Sequence, residues 1–530
     1  MAMAAHRFFP YLLLTLCSLP LLSADVFLSI DCGASTSYKD ESGIVWTGDS
    51  LYAANGESRS VASSNSFSRV MDTMRVFTTG RRNCYNINTG ATRGRLLVRA
   101  HFFYGNYDGK SSPPTFDLSF DGNDWATVET SSTESYYYEV IYVSKKDSMS
   151  VCVAQTVTGQ FPFVSAITVR SLELFSYNNI DFNHPLYMSR RVAFGSNTTI
   201  RWPDDPYDRY WSPSVYENGT IRVSNTAPLG DSIFLEDRPP PAVLKNAVTA
   251  ITPRSTIDLF MRFPSRQAPV YINWYFSEVA VLARNQIRAF RVFKDDLPYS
   301  PPILPPYGNC TQFSVSNLLA SSGNTFSLVP TNYSTLPPLI NAMEVFYIGD
   351  ALTDGTNARD VRGLASLQTT FSMLRNWSGD PCLPSPFSWD WIVCNTNLVP
   401  RVTTLSLVGY GLSGFLPDFS SMDALRKIDL SNNNLQGPIP EFLGTLPNLE
   451  ILNLGNNQFS GTIPRSLSRK TGLILTVDGN PGLCTTCSTP STSNSSAERK
   501  HKKVLETLFT TIISSIVILK LGESGVRVLV

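Results

Sequence analysis

The chain has 530 residues, enough for several domains, and its 43 basic residues match its 43 acidic ones. That balance gives no charge excess to attract nucleic acid or an anionic substrate. Only 16% of residues are charged and 11% are aromatic, a composition of β-rich extracellular modules rather than of a helical cytosolic enzyme.

Residues 1–24 carry Arg7, an apolar run from Phe8 to Leu22 and the small pair Ser23-Ala24, which reads as a secretory signal peptide with the mature chain starting near Asp25. Removing Cys17 with the signal leaves eight cysteines, an even number suited to an oxidising compartment. Sequons at Asn197, Asn218, Asn309, Asn332, Asn376 and Asn494 fit the same route as glycosylation acceptors.

The next stretch repeats itself at long range. RLLVRAHFFYGNYDG at 95–109 is similar to APVYINWYFSEVA at 268–280. Phe116-Asp117-Leu118 answers to Phe290-Arg291-Val292, and PFVSAITVRSLELF at 162–175 to PLINAMEVFYI at 338–348. The offsets of 172, 174 and 176 residues imply one β-unit duplicated, with lobes over 25–178 and 179–350. Short runs of β-branched and aromatic residues between Gly, Pro, Asn and Ser clusters predict two tandem β-sandwich or jelly-roll lobes. The prolines around 238–241 and 298–306 predict loops. In WPDDPYDRYW, Asp204, Asp205 and Asp208 invite a calcium reading, but the run has no Gly for a tight turn and offers Arg209 as a partner. A structural loop is the expectation.

Residues 357–398 read as a helix, with Val361, Leu364, Leu367, Phe371 and Leu374 on one face, and then a cap, WSGDPCLPSPFSWDWIVC. Cys382 and Cys394 are its expected bridge. From 401 to 484 Leu407, Leu430, Leu454 and Val477 recur at 23 or 24 residues, the period of a leucine-rich repeat. Asn433, Asn457 and Asn480 hold one register, where an amide must satisfy inner-turn backbone. Cys484 and Cys487 would close the far end. For Cys32, Cys84, Cys152 and Cys310 three pairings remain open. A polar linker, 485–503, leads to an apolar stretch at 504–521. Glu506 and Lys520 bracket its core, and about 17 or more apolar residues are usual for a crossing. Two readings stand: a marginal single span, giving membrane association, or a tail that does not cross.

Four segments in this order, VFLSIDCGASTSYKDESGIVWTGD, MRVFTTGRRNCYNI, FFYGNYDG and WPDDPYDRYW, resemble the malectin-like ectodomain of plant receptor-like kinases. The cap and repeats resemble the leucine-rich stem of the same kinases. No Gly-rich loop with a β3 lysine, no His-Arg-Asp loop and no Asp-Phe-Gly is present, so the chain is similar to the kinase-less di-glucose-binding proteins with leucine-rich repeats. The resemblance implies a non-catalytic receptor-like protein of the secretory pathway, at the plasma membrane or outside the cell, binding cell-wall carbohydrate. Its alternative is a co-receptor or decoy for a peptide or a receptor kinase ectodomain.

Malectin holds glucose disaccharides with loop aromatics and an acid, because sugar C–H faces stack on rings while carboxylates accept hydroxyl protons. Carried onto this chain, that implies Tyr104, Tyr107 and Asp108, together with Tyr38, Trp46 and Asp49. The corresponding loop of the second lobe reads Ser277-Glu278-Val279 and lacks the aromatic pair. Phe102, Phe103, Trp274 and Tyr275 are expected in the core. No paired carboxylates sit in a recognisable hydrolase motif, and His101 and His184 are the only histidines between the signal and the tail. Neither a metal site nor a cofactor is expected.

Overall fold

The computed structural model describes residues 26–90, 94–214, 219–225 and 235–484. The signal, the linker, the 504–521 segment, Asn218, Asn494 and Cys487 lie outside the described residues. Among those described, no helix is long and apolar enough to cross a membrane.

The strand Leu96–Phe102 shows how the sequence builds a lobe. Leu96, Val98, Ala100 and Phe102 point into the sandwich core, while Leu97, Arg99 and His101 take the opposite face, as strand alternation requires. Every residue of the strand is nevertheless buried, because the 201–211 loop covers the second face. In the second lobe Ala268–Phe276 does the same, with Val270, Ile272, Trp274 and Phe276 in the sandwich core and Tyr271 and Tyr275 behind.

The duplication is visible in the topology. In the first lobe the main sheet runs Phe27–Asp31, Ala166–Ser171, Leu96–Phe102, Tyr136–Tyr142, all antiparallel. In the second it runs Leu186–Phe194, Ala342–Ile348, Ala268–Phe276, Thr311–Ala320, again antiparallel. Each lobe has a facing four-stranded sheet and a small three-stranded one. The main sheets join edge to edge into a single 11-stranded sheet where Val140 and Ile141 pair with Tyr187 and Leu186.

Register decides the open cysteine pairing. Cys84 on Arg82–Asn88 lies directly opposite Cys152 on Ser148–Gln155, and the two form a disulfide. Cys32 and Cys310 are buried in different lobes and free, which corrects the expectation that all eight mature cysteines pair.

The helix Ala358–Thr370, capped by the Asn357 side chain, buries Leu364 and Leu367, and Phe371 and Leu374 follow into the same core. Val361 departs from the predicted face and stays exposed. Cys382 and Cys394 are bridged, and Cys484 is disulfide-bonded. Behind the cap, the strands Val402–Ser406, Lys427–Asp429, Ile451–Asn453 and Ile474–Thr476 stack in parallel. Each asparagine of the ladder bridges two turns. Asn457 Nδ2 donates to Leu430 O at 2.9 Å and Leu454 O at 3.1 Å, and its Oδ1 accepts from Leu435 N at 3.0 Å. Asn433 and Asn480 repeat the pattern.

The stem docks on the first lobe. Arg82 donates to the carbonyls of Asp380 and Leu383, Ser378 Oγ donates to Cys84 O at 3.2 Å, and Lys145 pairs with Asp354 at 2.6 Å. Gly379 sits at φ +73°, and a Cβ there would lie 2.6 Å from Cys84 Sγ and 2.9 Å from Cys152 Sγ. Only glycine fits so close an approach to the bridge.

Candidate functional site

The six first-lobe residues do not converge on one open site. Trp46 is buried and donates to Asp40 Oδ2 at 2.9 Å, while Asp49 is fully buried and accepts from Arg75 at 2.5 Å and Tyr85 at 3.0 Å. Tyr104 is fully buried, donates to Asp108 Oδ1, and has its hydroxyl pushed up to about 12, first by burial and then by that carboxylate. The polar groups of these three are thus partnered within the lobe itself. Tyr107 is half-buried, edge-on to Tyr104 and Phe163, and Asp108 also pairs with Lys110. Tyr38 donates to Asp31 at 2.7 Å under the Arg69 guanidinium, and burial raises Asp31 to about 6. None of the cavities described below is lined by any of the six. In the second lobe Glu278 is buried against Arg288 at 2.7 Å. Phe102, Phe103, Trp274 and Tyr275 are core residues.

The open space lies elsewhere, where the two lobes meet. Beyond their two paired positions the strands Tyr136–Tyr142 and Leu186–Phe194 splay apart and enclose a groove of about 580 Å³. Trp125, Tyr136, Tyr138, Tyr187 and Tyr347 give it an aromatic wall, with Met188 beside them. A second trough of about 940 Å³ shares Trp125, Tyr187 and Tyr347 and continues the space along the lobe junction. The rim is fixed across the lobes by Tyr187 donating to Asp124 O at 2.8 Å, and within the second lobe by Tyr347 donating to Arg262 O at 2.6 Å.

Beneath the groove lies a buried charge chain. Glu139 accepts from Arg99 at 2.5 Å and pairs with Arg191 at 2.8 Å. Arg191 reaches Glu344 at 2.7 Å, where Tyr177 and Tyr275 also donate, each at 2.8 Å. Burial pushes Glu139 upward, but the Arg191 and Arg99 charges outweigh it and hold the carboxyl below its usual range. Asp205 and Asp208 belong to this framework. Asp205 accepts from Arg209 at 2.8 Å and Trp211 at 2.7 Å, and Asp208 from Arg170 at 2.8 Å and Arg201 at 2.9 Å. These acids are matched by guanidinium groups, and no cluster among the described residues could hold a metal. Asp237 accepts from Tyr271 at 2.9 Å and from Asn273 and Gln312 at 2.7 Å each; burial and Glu344 raise it to about 6.

Asn197, Asn309, Asn332 and Asn376 are exposed, and none lines the groove. Sequence reasoning missed the groove because its walls come from strands far apart in the chain. The run Tyr136-Tyr137-Tyr138-Glu139 held the available signal: aromatics without alternation mark a strand contacted on both faces.

A two-lobed β-sandwich followed by a capped leucine-rich stem is the architecture of a receptor-like extracellular region. The malectin-like domain model matches residues 30–348 and that for leucine-rich repeats (2 copies) matches 400–465. The chain belongs to the malectin-like family. A probable LRR receptor-like serine/threonine-protein kinase of Arabidopsis thaliana is 32% identical over 491 residues, covering 89% of this chain and 54% of the kinase. An uncharacterized protein of the same plant is 33% identical over 346 residues, covering 64% of this chain and 68% of that one. The chain thus spans about half the length of the kinase relatives it matches. The crystal structure of the ANX2 ectodomain from Arabidopsis thaliana matches in fold with TM-score 0.52 at 18% identity, covering 61% of this chain and 97% of that one. A structure of the plant peptide RALF23 in complex with FER and LLG2 matches with TM-score 0.51 at 16% identity, covering 61% and 95%.

Proposed function

We propose that this is a non-catalytic ligand-binding receptor-like protein of the secretory pathway, and that its ligand occupies the groove between the lobes. The observation that carries the reading is the splayed strand pair. It creates a concave, aromatic-walled space of about 580 Å³, within the size range of ligand pockets, over a floor whose charges are already paired. Held rigid by cross-lobe bonds, such a space suits binding without chemistry. The likeness to a fold whose crystal structure includes the peptide RALF23 supports a secreted peptide or a receptor kinase ectodomain as partner.

The same rings favour a second reading. Trp125, Tyr136 and Tyr138 would stack on the C–H faces of a cell-wall oligosaccharide, moving the carbohydrate contact from the first-lobe loops into the groove. Titration of the purified secreted protein with a panel of cell-wall oligosaccharides, and separately with plant apoplastic peptides, tests both. Ser189→Trp fills the groove and is expected to abolish binding, whereas Tyr107→Ala is expected to leave it intact. The reverse result would return the ligand to the first-lobe loops. Membrane association through 504–521 is tested by fractionation: quantitative release of the full-length chain into the medium refutes it.

A further inference from the structure

We propose, building on the groove reading, that the gap receives an extended peptide segment as an added β-strand, paired backbone to backbone with Tyr136–Glu139. On its other side the strand Tyr136–Tyr142 pairs with Leu96–Phe102 at seven positions, yet toward the second lobe it pairs at two, Val140 and Ile141. The facing strand behaves likewise. Leu186–Phe194 pairs with Ala342–Ile348 with a register slip between Met188 and Arg190, which leaves Tyr136–Glu139 the regular edge of the two; toward the gap only Leu186 and Tyr187 meet the first lobe, while Val192–Phe194 is closed off by the short parallel strand Ser212–Ser214. Between these closures, among the described residues, no strand pairs with Tyr136–Glu139 on the side of the second lobe. Unpaired strand edges are templates for another chain.

This edge is not blunted. It carries no Pro and no bulge, and its pairing with Leu96–Phe102 is regular. The free edge of the second lobe, Thr311–Ala320, contrasts with it: its pairing slips at Val270/Ile272 and Asn317 sits at φ +57°, devices that spoil a docking edge. The groove walls also select a class of occupant. Glu139 and Arg191 are fully buried and ion-paired at 2.8 Å, so the charges of the floor are matched, and the other charged lining residues, Arg190 and Arg262, stand on the second-lobe wall. A neutral backbone suits it. Alternation along an inserted strand would place every second side chain against the aromatic face of Trp125 and Tyr138, and the intervening ones beside Tyr137 and Glu139. The expected partner is an extended segment alternating apolar or aromatic with polar residues. The trough beyond Trp125, Tyr187 and Tyr347 gives such a chain a path out of the gap.

The test pans the full-length secreted protein against a phage-displayed library of linear peptides of about ten residues, the upper range of natural strands. A selected peptide is then synthesised with single backbone N-methylations. Insertion as a strand predicts that methylating every second residue weakens binding about tenfold or more, while the residues between are tolerated. It also predicts slowed hydrogen exchange within 136–139 and loss of binding in Ser189→Trp. Uniform tolerance of N-methylation, or protection elsewhere, overturns strand insertion while the groove stands if Ser189→Trp still abolishes binding. An unchanged affinity in Ser189→Trp overturns both. If no peptide is selected, the inference falls; oligosaccharide binding that Ser189→Trp abolishes would then keep the groove reading alone.

Discussion

The two lobes share one strand order and differ in what meets the last strand of the main sheet. In the first lobe that strand, Tyr136–Tyr142, is half-covered by the second lobe and left open along Tyr136–Glu139. In the second lobe its counterpart, Thr311–Ala320, is an irregular outer edge. The first lobe also carries a disulfide at Cys84–Cys152 and receives the stem there, where the second has the cysteine-free pair Ile257–Leu259 and Phe326–Pro330. Duplication thus produced one lobe that holds the open strand edge and the stem, and one that closes the sheet. Burial of Arg191 and Glu344 from the second lobe beside Glu139 of the first fixes the angle between them.

That asymmetry can be broken from the strongest point downward. The double variant Cys84→Ala/Cys152→Ala opens a 68-residue loop and is expected to cost the first lobe about 4 kcal/mol, read by urea unfolding, with release of the stem seen as faster exchange over 378–383. Arg191→Met leaves Glu139 and Glu344 buried with a charge removed between them and is expected to cost about 3 kcal/mol or more. Loss of groove binding should accompany it if the lobe angle shapes the groove. Asn457→Ala removes the side-chain partner of four backbone groups in the solenoid and is expected to cost about 1–3 kcal/mol, without altering binding in the groove.

A pH-dependent effect follows from Asp237, whose carboxyl is raised from 3.8 to about 6 by burial and by Glu344. Between those values the folded state holds a proton that the unfolded state has lost, so stability falls as pH rises through about 4 to 6 and is flat above. Asp31, raised to about 6 chiefly by burial, has the same sign. Asp237→Asn is expected to shrink that slope and leave the Asp31 share, measured as urea midpoint against pH. The smallest effect belongs to Tyr104→Phe, which removes the bond to Asp108 at about 1 kcal/mol and leaves ligand affinity unchanged.

The repeats were legible because a 23- or 24-residue period has one physical solution: Leu407, Leu430 and Leu454 are fully buried, and Asn433, Asn457 and Asn480 bond to consecutive turns. The duplicated β-unit was legible from three matched segments, and the Cys382–Cys394 bridge from its place in the cap. The site was not. Tyr104 and Trp46 look like ring platforms beside glycines and loops, but their polar atoms are satisfied by Asp108 and Asp40 within a few residues. The groove depends on where strands near 140 and 190 part company, a property of inter-lobe register that local composition does not carry. The Cys84–Cys152 pair depends on register in the same way.

The docking of the stem on the disulfide-clipped strand has a mechanical consequence. Tension applied to the solenoid enters the first lobe through Arg82 and the loop at Gly379, and is borne by two strands that are covalently tied. The covalent chain, however, enters the stem from Ala342–Ile348 of the second lobe, so that strand shares the load. A pull on the solenoid therefore draws on both lobes at once, through the docked strand Arg82–Asn88 of one and the chain leaving Ile348 of the other, and the junction between them feels the difference.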